Sequence, residues 1–191
     1  MKKLNSLILS AGLLAALPSA FAQWKTLNVP LVTQEHSQWC WAGTTKAILN
    51  FYGQTPSQCQ IANWAFGLNY ACGNSVFEWN SAANQPNNMY GTSGSVQNIL
   101  KNWGVNNSAY NAASSWSSVV SDINADRPFV IRYGWTSGGG HIMVGRGYET
   151  ANGVSYVYIM NPWPGEGQTY RTYNSAVVAS DHRWTHTQRI N

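Results

Sequence analysis

The sequence predicts one α+β domain, with a helical N-terminal half packed against an antiparallel β-sheet C-terminal half. Three observations carry this. Between Cys40 and Asp126 the apolar residues recur at helical spacing, in short segments stopped by Gly53, Gly67 and Gly104. From Phe129 onward they fall instead into short strand-like runs, two of them joined by the hairpin signal Asn152-Gly153. No internal repeat or linker-like stretch divides the chain, so the two layers share one domain with a groove between them.

Residues 1–22 read as a secretory signal peptide: Lys2 and Lys3 form its positive start, Leu7 to Leu17 its apolar core and Ala20-Phe21-Ala22 its cleavage site. The domain is therefore assigned to residues 23–191, with no room for a folded inhibitory propeptide. The apolar run is shorter than the ~18 residues of a membrane span, and a secreted or periplasmic protein without stable membrane association is expected. Gln23 to Thr33 reads as an extended lead-in, with Val29-Pro30-Leu31-Val32 strand-like. The first helix runs from Trp39 or Cys40 to Tyr52, with Gly53 at its C-terminal stop. Ser57-Gln58-Cys59-Gln60 is a capping box that opens a second helix ending at Gly67. Asn69 to Thr92 lacks periodicity and reads as a long ordered loop, pinned by Cys72. A third helix follows Ser93 or Ser95 through Val96, Ile99, Leu100 and Trp103, and Val105 to Ala109 is a short strand. Ser117 caps a fourth helix, Ser118 to Asp126. The sheet then takes Phe129 to Tyr133, His141 to Tyr148, Val154 to Met160, Gln168 to Tyr173 and Trp184 to Ile190. Thr136 to Gly140 is a flexible loop, and Asn161-Pro162-Trp163-Pro164-Gly165 a rigid turn.

Composition narrows the function. Charged residues make up only 9%, and two of the charges behind the net +4 are Lys2 and Lys3. No basic run exists, so no nucleic-acid partner is expected. The ten tryptophans are read as core and cleft walls rather than a sugar-binding surface. Of the three cysteines, Cys59 and Cys72 lie 13 apart in neighbouring segments and are paired, which leaves Cys40 free. The cysteines lack metal-ligand spacing, and neither metal nor cofactor is expected. A monomer acting on a protein or peptide substrate is expected.

A lone thiol in an oxidising compartment invites a chemical explanation. Cys40 stands at a helix start, where the dipole favours the thiolate. A thiolate nucleophile needs a base, and the base needs a group to hold its ring. His36 is nearest in sequence, but His141 opens a strand after Gly138-Gly139-Gly140. The hairpin turning at Asn152-Gly153 returns Asn161 to the neighbourhood of His141, where its amide oxygen can accept from the imidazole. Gln34, six residues before Cys40, can supply an N–H to an oxyanion together with the Cys40 backbone.

In these positions the chain resembles the papain-like cysteine peptidases. The resemblance rests on Gln34 and Cys40, on Trp41 directly after the cysteine, on His141 then Asn161 in that order, and on Trp163 two residues after the asparagine. It implies a papain-like fold with the active site in the groove: Cys40 as nucleophile, His141 as base, Asn161 as orienting group and Gln34 as oxyanion donor. Among subgroups the chain looks most like the compact bacterial enzymes, the secreted effector proteases of plant pathogens and the bacteriocin-processing double-glycine peptidases. It departs from the plant enzymes in having Ser37-Gln38-Trp39-Cys40-Trp41, without a cysteine beside the nucleophile. The function expected is a secreted cysteine endopeptidase; the alternatives are a cell-wall peptide amidase or transpeptidase, and a papain-like binding module without turnover.

Overall fold

The computed structural model describes residues 23–73 and 81–191; the expected signal peptide, residues 1–22, lies outside the described residues. Helices α1 (Cys40–Phe51), α2 (Gln58–Phe66), α3 (Val96–Asn102) and α4 (Trp116–Asn124) fill the first part of the chain, with strands β1 (Gln23–Thr26) and β2 (Asn107–Tyr110). Strands β3 (Phe129–Trp135), β4 (Gly140–Ala151), β5 (Val154–Asn161), β6 (Gly167–Thr172) and β7 (His182–Ile190) follow, with a short α5 (Tyr173–Val177) between the last two. The strands form one antiparallel sheet in the order β2-β7-β3-β4-β5-β6. The α+β division expected from the sequence is therefore present.

Local signals account for much of this. Ser57 and Gln60 form the reciprocal capping box of α2, and Gly67 closes that helix in the left-handed conformation. Asn152 and Gly153 both take positive φ, 50° and 76°, as a two-residue hairpin between β4 and β5 requires. Cys59 and Cys72 are bonded and Cys40 is free. The core lies between α1 and the sheet and is built from wholly buried Trp39, Trp41, Ile48, Leu49, Phe129 and Ile131 among others.

Several boundaries differ from the sequence reading. The first strand is Gln23–Thr26 rather than Val29 to Val32. It pairs with β4 at Gly147–Thr150, beyond the reach of β3, which pairs with β4 only from Gly140 to Gly145. After Leu27 donates to Arg146 O the chain leaves the sheet, and Pro30 has no N–H with which to rejoin a ladder. Val29 and Val32 are still buried in the core, which is what gave them strand-like hydrophobicity. β2 starts two residues later than Val105, which packs under α3 while Asn107 takes up the pairing with Ile190. Helix α4 starts at Trp116, and Ser115 rather than Ser117 is its cap, accepting from Ser118 N. Ser95 occupies the cap position of α3 but makes no side-chain cap bond. Helix α5 has five residues, too few for its period to register in sequence.

Candidate active site

Cys40 is the first residue of α1, with Trp39 at the cap position and both flanking tryptophans wholly buried. The two indoles fasten this turn, Trp39 Nε1 donating to Ala83 O at 2.7 Å and Trp41 Nε1 to Gln85 O at 2.9 Å. Helix α1 is in turn fixed to the sheet. Thr44 Oγ1 donates to Ile142 O at 2.8 Å, next to His141. Gly43 faces the turn after β5 so closely that a Cβ there would stand 3.0 Å from the Pro162 Cβ. Gln34 N donates to Pro162 O at 2.8 Å, tying the approach to Cys40 to the same turn.

His141 is 5% exposed and sits on β4 opposite Tyr133 of β3. Its Nε2–H donates to Asn161 Oδ1 at 2.6 Å, which leaves Nδ1 with the free lone pair. Asn161 Oδ1 also accepts from Trp163 N at 3.0 Å, so the amide oxygen is held from both sides. The imidazole lies between Trp135, nearly parallel at 6.2 Å between centroids, and Trp163, edge-on at 6.0 Å.

A β-bulge brings His141 and Asn161 together. From Ala151↔Val154 to Gly147↔Tyr158 the hairpin keeps one register, and in that register Asn161 would fall opposite Val144, on the other face from His141. Arg146 is the extra residue. Beyond it the register is Gly145↔Ile159 and Val144↔Met160, so Asn161 continues opposite Met143, on the His141 face.

Cys40, His141, Asn161 and Trp163 line one cavity of about 450 Å³, with Ser37 and Gln38 on its near wall. Burial pushes the Cys40 thiol up; the backbone N–H groups of Ile142, Trp41 and Cys40 and the Arg132 guanidinium oppose it without cancelling it. Burial pushes the His141 imidazole down, partly offset by the bond to Asn161 and the charge of Glu166. The raised thiol runs against the thiolate expected from its place at a helix start.

Gln34 is placed differently from the other three. It is 6% exposed and does not line the cavity. Its Nε2 donates to His36 O at 2.8 Å and Ser37 O at 3.0 Å, and its buried Oε1 has no partner among the described residues. The far wall of the cavity holds a group that sequence reasoning missed. Buried His182 meets Asp181 Oδ1 at 2.8 Å, lies 3.4 Å from Arg171 Nη1 and stacks on Tyr133 at 3.9 Å. Only the pairing of β7 with β3 brings Tyr133 and Trp135 to His182, and no sequence spacing signals that. Among the described residues no three His, Cys, Asp or Glu side chains gather as a metal site, and no helix is long and apolar enough to cross a membrane.

The family model described as the Peptidase_C39-like family matches residues 26–190. The chain belongs to that family. No curated protein sequence matches it. Among solved structures it is similar to the peptidase domain of Streptococcus ComA, a bifunctional ABC transporter in a quorum-sensing pathway. That match has 14% identity and a TM-score of 0.55, and covers 83% of this chain and 96% of that one. It is also similar to a double-glycine motif protease from an AMS/PCAT transporter in complex with its leader peptide, with 16% identity, TM-score 0.50 and coverage of 87% and 95%. A structure concerning the mite allergens Blo t 1 and Der p 1 matches with 12% identity, TM-score 0.50 and coverage of 85% and 67%. The fold is papain-like, and the chain is a papain-like cysteine peptidase of the C39-like family.

Proposed function

We propose that the chain is an exported cysteine endopeptidase in which Cys40, His141, Asn161 and Gln34 carry the reaction. The observation behind this reading is the 2.6 Å bond from His141 to Asn161 in the cavity that Cys40 lines. That bond leaves the basic Nδ1 for the thiol. As the peptide carbonyl settles against Cys40, Nδ1 takes the Sγ proton and the thiolate attacks the carbonyl carbon. The imidazolium, steadied by the Asn161 oxygen, then gives that proton to the leaving amine. Water, deprotonated by His141, hydrolyses the thioester and regenerates the thiol. The oxyanion takes the Cys40 backbone N–H and an N–H of Gln34 Nε2, which gives up one of its two loop carbonyls to do so.

Export is supported by the signal-peptide pattern of residues 1–22 and by the Cys59–Cys72 bond, which belongs to an oxidising compartment. A peptide substrate is supported by the transporter protease solved with its leader peptide. The test uses a thiol-directed epoxide and a peptide-library digest. The epoxide should label Cys40 and stop hydrolysis, and Cys40→Ala should abolish turnover with the melting temperature nearly unchanged. Unlabelled Cys40, or hydrolysis by Cys40→Ala, would sink the proposal.

A further inference from the structure

The loop that delivers Cys40 is held from outside by a short segment, residues 81–85, and its centre is Asn84. This side chain is 4% exposed. Its Oδ1 accepts from Gln38 N at 3.0 Å and its Nδ2 donates to Ser37 Oγ at 2.9 Å. Both partners are cavity-lining residues directly before the nucleophile turn. The neighbours of Asn84 extend the clamp, since Ala83 O and Gln85 O accept the two indole N–H groups that flank Cys40. The segment braces itself as well: Ala83 N and Gln85 Nε2 both donate to Ser81, and Asn84 N donates to Ser81 O. From the inner side, Gln34 Nε2 holds the carbonyls of His36 and Ser37.

The nucleophile turn is thus gripped on two sides, and the Asn84 side chain bonds both a backbone and a side-chain group of it. A buried amide that satisfies a backbone N–H and a hydroxyl at once fixes the orientation of that peptide as well as its position. We propose that Asn84 is a positioning residue for the reaction, holding Ser37 and Gln38 so that the Cys40 thiol and backbone N–H face the same substrate carbonyl. This rests on the peptidase reading above. Asn84 acts through the turn and takes no part in proton transfer.

The test is Asn84→Ala in the full mature chain with its disulfide intact. It reads kcat and KM on a cleaved peptide and the pH profile of Cys40 alkylation by iodoacetamide, followed by mass. A misplaced nucleophile should lower kcat about 10- to 100-fold with KM changed less than about threefold. The alkylation profile should move to higher pH, because the first-turn N–H groups that stabilise the thiolate lose their alignment. A purely structural role would lower the melting temperature and leave both readouts in place, and that result overturns the proposal. If Asn84→Ala does not fold, Ser37→Ala removes the 2.9 Å bond alone. There a kcat reduced at least about threefold supports the proposal, and an unchanged kcat with an unchanged alkylation profile overturns it. The failures are separable. Hydrolysis by Cys40→Ala sinks the peptidase reading, whereas an active wild type with an indifferent Asn84→Ala sinks only the positioning role.

Discussion

At the scale of single residues, His141 and Asn161 show how a weak sequence signal becomes a strong geometric one. Neither is distinctive alone; what singles them out is a tight hairpin that returns one to the other. Gln34 shows the converse. Its spacing from Cys40 marks it, but spacing does not say where an amide points, and here the nitrogen lies on the carbonyls of His36 and Ser37. The two roles predict different losses. As oxyanion donor, Gln34 should on mutation to Ala cost about 10²- to 10³-fold in kcat at nearly constant KM. As a loop brace alone it should cost stability, about 1 kcal/mol per hydrogen bond, and act as the loss of Asn84 does, moving Cys40 alkylation to higher pH with kcat lowered by no more than about 10- to 100-fold. Steady-state kinetics with the alkylation profile of Gln34→Ala decide between them, and the donor role predicts that kcat falls while the alkylation profile stays in place. Asn84 carried no sequence signal at all, because a buried asparagine in an aperiodic loop looks like any turn residue until its partners are known.

At the scale of elements, the first helix, its glycine stop and the capping box of α2 were legible because each is a local pattern with a local cause. The β4–β5 hairpin was legible from Asn152-Gly153, but its register was not. Matching the strands by length alone brings Asn161 to the right end and the wrong face; Arg146 supplies the missing residue. Deleting Arg146 should leave a regular ladder, with Gly145↔Ile159 following Gly147↔Tyr158 directly, so that Asn161 stays opposite Met143 on the His141 face and most of the activity is kept. Arg146→Ala keeps the residue count and should keep most of the activity. A deletion variant that folds, by near-ultraviolet dichroism, yet loses more than about 10²-fold in kcat would contradict this register. Val29 to Val32 failed as a strand for a related reason, since burial without backbone pairing looks the same in composition as burial with it.

At the scale of the molecule, the two-layer α+β arrangement follows from the change of period near Phe129, and the comparisons bear out the papain-like reading. What sequence does not carry is the set of long-range polar ties. Asp122 of α4, its side chain 1% exposed, accepts from Arg127 of the following turn and from both Nε and Nη2 of Arg189 on β7. Burial would raise its carboxyl, but the bonds from Arg189 and Arg127 outweigh that and hold it below its ordinary value of 3.8. A carboxyl with a depressed folded pKa contributes stability that is full above its unfolded pKa and is lost as pH falls through the folded one. Urea midpoints should therefore decline below pH 3.8 in the wild type. Asp122→Asn should be less stable at neutral pH and should lack that part of the acid decline. Equal acid sensitivity of the two proteins would show that other carboxyls govern it.

The close approach of Gly43 to Pro162 sets how near helix α1 stands to the turn after β5. A Cβ on Gly43 would stand 3.0 Å from the Cβ of Pro162, so the nucleophile helix meets the ring that follows Asn161 with no side chain of its own between them. A methyl group at position 43 would have to displace the Pro162 ring by a few tenths of an ångström, so the spacing of the two halves at this point is set by the absence of a single side chain.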